Sequence, residues 1–405
     1  MRVANILDRV AGLGSDKWRV HVRARKLIAQ GEPVVLLTIG EPDVPTPPPL
    51  VDAACQAMRA GRTGYAGGRG EAVVLKALAE RYSRRTGRAV APEQFIWVPG
   101  TQSGLYLLLT GLVQSGDEVL LADPSYATYD GLVRATGATP VPVPLQARHG
   151  FRLQAEDLER AVTPATRLIL LNSPHNPTGA VLGRADIQAI GAVARRHGLW
   201  ILNDEVYASL VFPGPGGGPP PVPFASPFDE ADLADRTVIA SSLSKSHAAP
   251  GFRAGWCAGP VDFMRRLLPL AETMLFGSQP FIADMAALAL SEPEEATVTR
   301  AMGEAYARRA ALVAQLLQGV PGLQVHPPAA GMFAMLAVDG LGLDGEAFAE
   351  RLLDEARVAV MPGAAFGAAA AGMVRISLTV PDDRLAQGCA RIAAMARRIG
   401  PRAAT

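Results

Sequence analysis

The chain has 405 residues, 49% of them apolar and 19% charged, which is ample for a large packed core and two domains. A formal net charge of +1 argues against nucleic acid or an anionic membrane surface as the main partner. No apolar run reaches transmembrane length, and residues 1–18 mix polar and apolar types without the apolar block of a secretory signal.

Three widely spaced cysteines, Cys55, Cys257 and Cys389, are too few and too scattered for a disulfide framework or a zinc site. They read as small buried hydrophobes in a reduced, cytoplasmic protein without a bound metal. No internal repeats are found.

In chain order, the proline-rich stretch 41–49 reads as a stiff, extended connector leading from an N-terminal segment into a sheet domain. Residues 93–98 read as a strand, 100–104 as a turn and 105–113 as a helix. The runs 118–121, 168–171, 200–203 and 237–240 are short and apolar, as strands buried on both faces should be. Residues 184–197 have helical spacing and stop at Gly198. Residues 212–224 are nearly all Pro and Gly and read as a surface insertion loop. After about residue 290, Ala-, Leu- and Arg-rich helices mix with strand-like runs at 331–336 and 374–378. This is an α/β layout with a mostly parallel sheet flanked by helices, plus a second, smaller α/β domain. The division is 1–45 (an N-terminal segment joining the small domain), 46–290 (large) and 291–405 (small). Ligand groups in such sheets collect in loops after the carboxyl ends of strands.

The chemistry concentrates in those loops. Ser242-Leu243-Ser244-Lys245 is followed by Gly251-Phe252-Arg253-Ala254-Gly255. A lysine amine forms an imine with an aldehyde, while Ser, Gly and Arg suit a phosphate monoester. An aldehyde and a phosphate on one molecule describe pyridoxal phosphate. Its ring nitrogen needs a carboxylate, and Asp204 stands at a strand end. Tyr207 and Asn176 are placed to contact the phenolate oxygen, and Tyr126 can stack on the ring. Gly100-Thr101-Gln102 lies between strand and helix, where backbone N–H groups meet a positive helix end. Ser242 and Arg253 add a hydroxyl and a charged fork for the phosphate, and Arg375 is a bidentate partner for a substrate carboxylate.

Asn176-Pro177-Thr178-Gly179, Asp204-Glu205-Val206-Tyr207, Ser242 to Lys245 with Arg253, and Arg375 occur in one order along essentially the whole chain. In this the chain resembles the fold type I, class I/II pyridoxal-phosphate aminotransferases. The resemblance implies that Lys245 forms the Schiff base and is the general base, while Asp204 pairs with the ring nitrogen. It implies that Asn176 and Tyr207 hold the ring oxygen, and that Thr101, Gln102, Ser242 and Arg253 hold the phosphate. Arg375, with the backbone of Gly40, would bind the substrate carboxylate. Tyr65 resembles the tyrosine that reaches the phosphate of a neighbouring subunit, so the site would be shared across a homodimer. The sequence departs from the pattern at Tyr126, where aspartate aminotransferases usually have Trp. Two further departures are Pro250, where relatives often have Thr, and Thr101-Gln102, where they have smaller or basic residues.

The expected reaction is a two-step, ping-pong transamination between an amino acid and a 2-oxo acid. The segments 172–177, 242–247 and 274–278 look most like arginine–pyruvate transaminases, implying arginine or a related guanidino amino acid as donor. Glu41 and Trp18 are candidate partners for the guanidinium. Aliphatic, aromatic or aspartate donors are the alternative, and a lyase or oxidase on the same fold is a further one. A transcription regulator with an aminotransferase-like domain needs a DNA-binding domain ahead of it, and only about forty residues precede the connector.

Overall fold

The computed structural model describes residues 3–401. Along the chain, its strands are β1 (Val35–Leu37), β2 (Phe95–Pro99), β3 (Glu118–Asp123), β4 (Thr139–Pro144), β5 (Thr166–Asn172) and β6 (Trp200–Asp204). There follow β7 (Thr237–Ser242), β8 (Ala254–Ala258), β9 (Gln324–His326), β10 (Phe333–Ala337), β11 (Val358–Pro362) and β12 (Met373–Ser377). A seven-stranded sheet runs β2-β8-β7-β6-β5-β3-β4, and a five-stranded sheet runs β1-β11-β12-β10-β9.

In the larger sheet every ladder is parallel except those of β8, which runs antiparallel to β2 and β7. The continuous apolar runs follow from burial on both faces. On β5, Leu168 and Leu170 pack with Leu105 and Leu108 of the helix Thr101–Leu112. Ile169 and Leu171, half a pleat away, pack with Ile187 and Ile190 of the helix Arg184–His197. That helix ends where expected, on Gly198 with φ 65°. The second sheet is largely antiparallel and packs against the helices Gly345–Ala356 and Asp382–Ile399.

Three expected boundaries move. Pro48 and Pro49 belong to the helix Pro48–Arg59 rather than to an extended connector, because first-turn residues need no N–H donor. The helix after β2 begins at Thr101, not 105, because Gly100 at φ 85° turns the chain directly out of the strand. Apolar spacing does not register that polar first turn. Residues 92–94 form a 3₁₀ turn, so the strand expected from 93 begins at Phe95. The 212–224 segment holds one short 3₁₀ turn, Pro215–Gly217, and otherwise no regular element. Among the described residues no helix is long and apolar enough to cross a membrane.

Candidate active site

Sheet register sets the site. Asn172 at the end of β5 is level with Asp204 at the end of β6, which is level with Ala240 two residues before Ser242. The side chains that follow these strands therefore open onto one edge, facing β12 of the second sheet. There they line a cleft of about 340 Å³.

The structure brings most of the expected residues together: Gly40, Thr101, Gln102, Tyr126, Asn176, Asp204, Tyr207, Ser242, Lys245, Arg253, Arg375 and Trp18 all line this cleft. Tyr65 does not line it. It is 88% exposed, edge-on to the ring of Phe276 at 5.0 Å. Glu41 lies just outside, in an adjoining groove that shares Pro250 with the cleft.

Asp204 is buried, and its carboxylate is doubly held: Tyr129 Oη–H donates to Oδ2 at 2.7 Å and the Val206 N–H to Oδ1 at 3.0 Å. Burial pushes its pKa up to about 6, against the pull of these two hydrogen bonds. Lys245 Nζ donates to the Gly40 carbonyl at 2.6 Å. Burial draws the Lys245 pKa down to about 8; Glu41 opposes the shift, and Arg375 and Arg253 reinforce it.

Arg375 is 1% exposed in the middle of the second sheet, level with Met335 on β10 and Met361 on β11. Its guanidinium lies between the rings of Phe333 (3.7 Å) and Phe366 (4.4 Å). Its Nη1–H donates to Asn176 Oδ1 (2.9 Å) and its Nη2–H to the Thr38 carbonyl (2.7 Å), while Nε is buried without an acceptor. No carboxylate among the described residues pairs with it, and burial lowers its pKa to about 10. A buried cation with neutral acceptors and a spare N–H is prepared for an anionic ligand.

At the other end, Gly100 caps the helix that starts with Thr101 and Gln102, and Thr101 Oγ1–H donates to Ser242 Oγ at 2.8 Å. Arg253 (φ 54°) donates from Nη1 to the Pro250 carbonyl at 2.8 Å. A Cβ on Gly100 would fall 2.2 Å from Arg253 Nη2, so any side chain there would push the guanidinium out of its place in this corner. Helix N–H groups, two hydroxyls and a guanidinium there fit a phosphate. Pyridoxal phosphate thus finds a phosphate corner, a buried carboxylate and a lysine amine in one cleft.

Sequence reasoning missed several contributors. Tyr129 holds Asp204 from the first turn of the helix Tyr129–Thr136. Asn172 Nδ2–H donates to the Asp204 carbonyl (3.1 Å), and its Oδ1 accepts the Asn176 N–H (2.8 Å). Thr38, Phe333 and Phe366 set the bed of Arg375. Tyr129 stands three residues after Tyr126, but nothing in that spacing marks it as the partner of Asp204, 75 positions away.

The chain belongs to the family described as aminotransferase class I and II, whose model matches residues 32–392. It is 43% identical to the arginine–pyruvate transaminase AruH of Pseudomonas aeruginosa, over 98% of this chain and 99% of that one. It is 37% identical to the aspartate/prephenate aminotransferase of Cereibacter sphaeroides, over 94% and 95% of the two chains. Among solved structures, Thermus thermophilus aspartate aminotransferase with maleate superposes with a TM-score of 0.89 at 31% identity, covering 97% of this chain and all of that one. This protein is an aminotransferase of fold type I, with amino acids and 2-oxo acids as substrates and pyridoxal phosphate as cofactor.

Proposed function

We propose that this aminotransferase takes the α-amino group of L-arginine, or of a related guanidino amino acid, and passes it to a 2-oxo acid such as pyruvate. The observation that carries the reading of the cleft is Arg375, a buried cation without a counter-ion beside Lys245 and Asp204. Three cations (Lys245, Arg253, Arg375) and one carboxylate (Asp204) line the cleft, an excess of two positive charges that suits a phosphate and an α-carboxylate. The guanidino donor is supported by the 43% identity with a protein named for arginine and pyruvate. Aspartate donors are favoured by the names of several other relatives. Among its described residues, however, this chain offers the cleft no fourth cation for a second carboxylate.

When bound, pyridoxal phosphate supplies a carbonyl that takes up the donor's amino group and a ring that draws electrons from the α-carbon. In this reading Lys245 Nζ takes and returns the proton at that carbon, at a pKa near working pH. Asp204 keeps a positive charge on the ring nitrogen. Asn176 and Tyr207, hydrogen-bonded to each other, would hold the ring oxygen, and Tyr126 would stack on the ring. Thr101, Gln102, Ser242 and Arg253 hold the phosphate. Arg375 and the Gly40 backbone hold the substrate carboxylate.

The reading extends to organisation. A homodimer with Tyr65 entering the partner's site is supported by the position of Tyr65, exposed and outside its own cleft. A cytoplasmic location is supported by three unpaired cysteines. The division at 45 and 290 is supported by β1, which joins the sheet formed by β9 to β12. The test is donor screening: loss of the loaded enzyme's visible band on adding arginine, and pyruvate-dependent release of the arginine 2-oxo acid with alanine. Reaction with aliphatic, aromatic or acidic donors but not arginine rejects the donor assignment. No reaction with any amino acid rejects the transamination reading.

A further inference from the structure

We infer that Trp18 receives the distal end of the donor's side chain, its indole face stacking on a cationic planar group; this rests on the reading of the cleft as an arginine-donor site. Trp18 ends the 3₁₀ turn Ser15–Trp18, just before the helix Arg19–Ala29, and lines the cleft. It packs, partly buried, on a small cluster of Ala127, Met361, Ala365 and Phe366. Phe366 is itself one of the two rings that clamp the Arg375 guanidinium. Trp18 and the Arg375 guanidinium thus share a neighbour in Phe366, and both residues line the cleft. A donor anchored by its carboxylate at Arg375 would meet Trp18 as its side chain leaves the α-carbon.

Trp18 suits a cation by the chemistry of its ring rather than by the net charge of the cleft, whose lining carries an excess of two positive charges. Indole is the strongest of the aromatic faces for a cation, and a guanidinium adds planar stacking. The two cations next to Trp18 in the chain are engaged elsewhere: Lys17 Nζ donates to the Ala127 carbonyl at 2.9 Å and lines a separate pocket of about 270 Å³ with Asp130 and Arg134, and Arg19 pairs with Glu346 and Glu350. Glu41, next to Gly40 in the adjoining groove, adds negative charge at the mouth. In this inference a small donor such as alanine gains nothing from Trp18, so Trp18 separates donors by their far ends.

The test uses the loaded enzyme and its Trp18→Ala and Trp18→Phe variants in single-turnover reactions with arginine, norleucine or alanine, without acceptor. The arginine-to-alanine ratio of second-order rate constants falls about tenfold in Trp18→Ala and recovers largely in Trp18→Phe. Calorimetry with δ-guanidinovalerate, which lacks the reacting amine, shows the same loss as a tenfold weaker Kd. An equal fall for arginine and alanine, or an unchanged Kd, overturns the inference by making Trp18 merely structural. If the wild type uses norleucine but not arginine, the donor assignment fails separately. The norleucine-to-alanine ratio in Trp18→Ala is then read with it: a fall shows contact with an uncharged far end and overturns the cation stacking, and no change overturns the contact itself.

Discussion

Tyr129 Oη donates to Asp204 Oδ2 at 2.7 Å, with both groups buried and 75 positions apart in the chain. This hydrogen bond favours the ionised carboxylate, whose pKa burial has already raised to about 6. In Tyr129→Phe the pKa rises further, because one charge-assisted bond is gone. In the cofactor-free protein the Asp204 titration, followed by carboxyl NMR, is expected to move to higher pH by about one unit, the size of a lost hydrogen bond to a charged group. An unchanged midpoint would show that Tyr129 does not tune Asp204.

The same carboxyl makes the cofactor-free protein pH-sensitive. An aspartate whose folded pKa lies above its unfolded value binds more protons folded than unfolded between the two, here between about 4 and about 6. Its contribution to stability therefore falls as pH rises through that window and stays unfavourable above it. Asp204→Asn removes the titration. The cofactor-free variant is expected to melt higher than wild type at pH 8 and to lose that advantage near pH 4. Equal melting temperatures at pH 8 would count against the burial cost.

Much of this site is legible without coordinates because its residues sit in short loops straight after strands. Asn176, Asp204 and Ser242 fall on one edge once β5, β6 and β7 are parallel neighbours, and their flanking apolar runs announce those strands. Tyr129 is illegible because its contact crosses from a helix onto a strand distant in sequence. β1 is three residues long, too short for any periodicity. β8 reads Ala-Gly-Trp-Cys-Ala, a weak strand sequence held by ladders on both sides, and Gly255 is needed because a Cβ there would lie 2.7 Å from Gly100 Cα. Arg375 could be found by resemblance, whereas its clamp of Phe333 and Phe366 arises only from the second sheet.

Lys245 is expected to react as an amine of unusually low basicity. Burial is the largest cause of its fall to about 8, so the free amine is abundant near neutrality. Reductive alkylation of the cofactor-free protein by a small aldehyde and borohydride, followed by peptide mapping, should give a pH midpoint near 8 at Lys245. A midpoint near the ordinary lysine value would contradict the buried setting. Lys245→Ala should lower the transamination rate by at least about 10³-fold, because in the proposed reading nucleophile and base are lost together.

A side chain at Gly100 disturbs the phosphate corner. The Gly100 φ of 85° strains any L-residue, and a Cβ would displace an Arg253 guanidinium that is hydrogen-bonded to Pro250. Gly100→Ala is expected to weaken pyridoxal phosphate binding at least tenfold and to lower stability by about 1–2 kcal/mol. Equilibrium dialysis against the cofactor and thermal melts of the cofactor-free protein measure the two effects separately. Unchanged cofactor affinity would dissociate this corner from phosphate binding.

Behind the site, Glu205 follows Asp204 in the chain and is 1% exposed. Arg85, at the end of the helix Ala72–Thr86, donates to Glu205 Oε2 at 2.7 Å and to Asp229 at 2.9 Å, with the Tyr82 ring 4.3 Å from its guanidinium carbon. Asn203 and Ser226 donate to the other Glu205 oxygen. Removing Glu205 leaves Arg85 with Asp229 as its one carboxylate partner and two donors short of an acceptor. Glu205→Ala is expected to destabilise the cofactor-free protein by about 3–5 kcal/mol. Glu205→Gln keeps an acceptor for Asn203 and Ser226 and should lose less. Because Asp204 and Tyr207 share this turn, the Ala variant should also bind cofactor more weakly, whereas a loss of stability under about 1 kcal/mol would make the pair incidental.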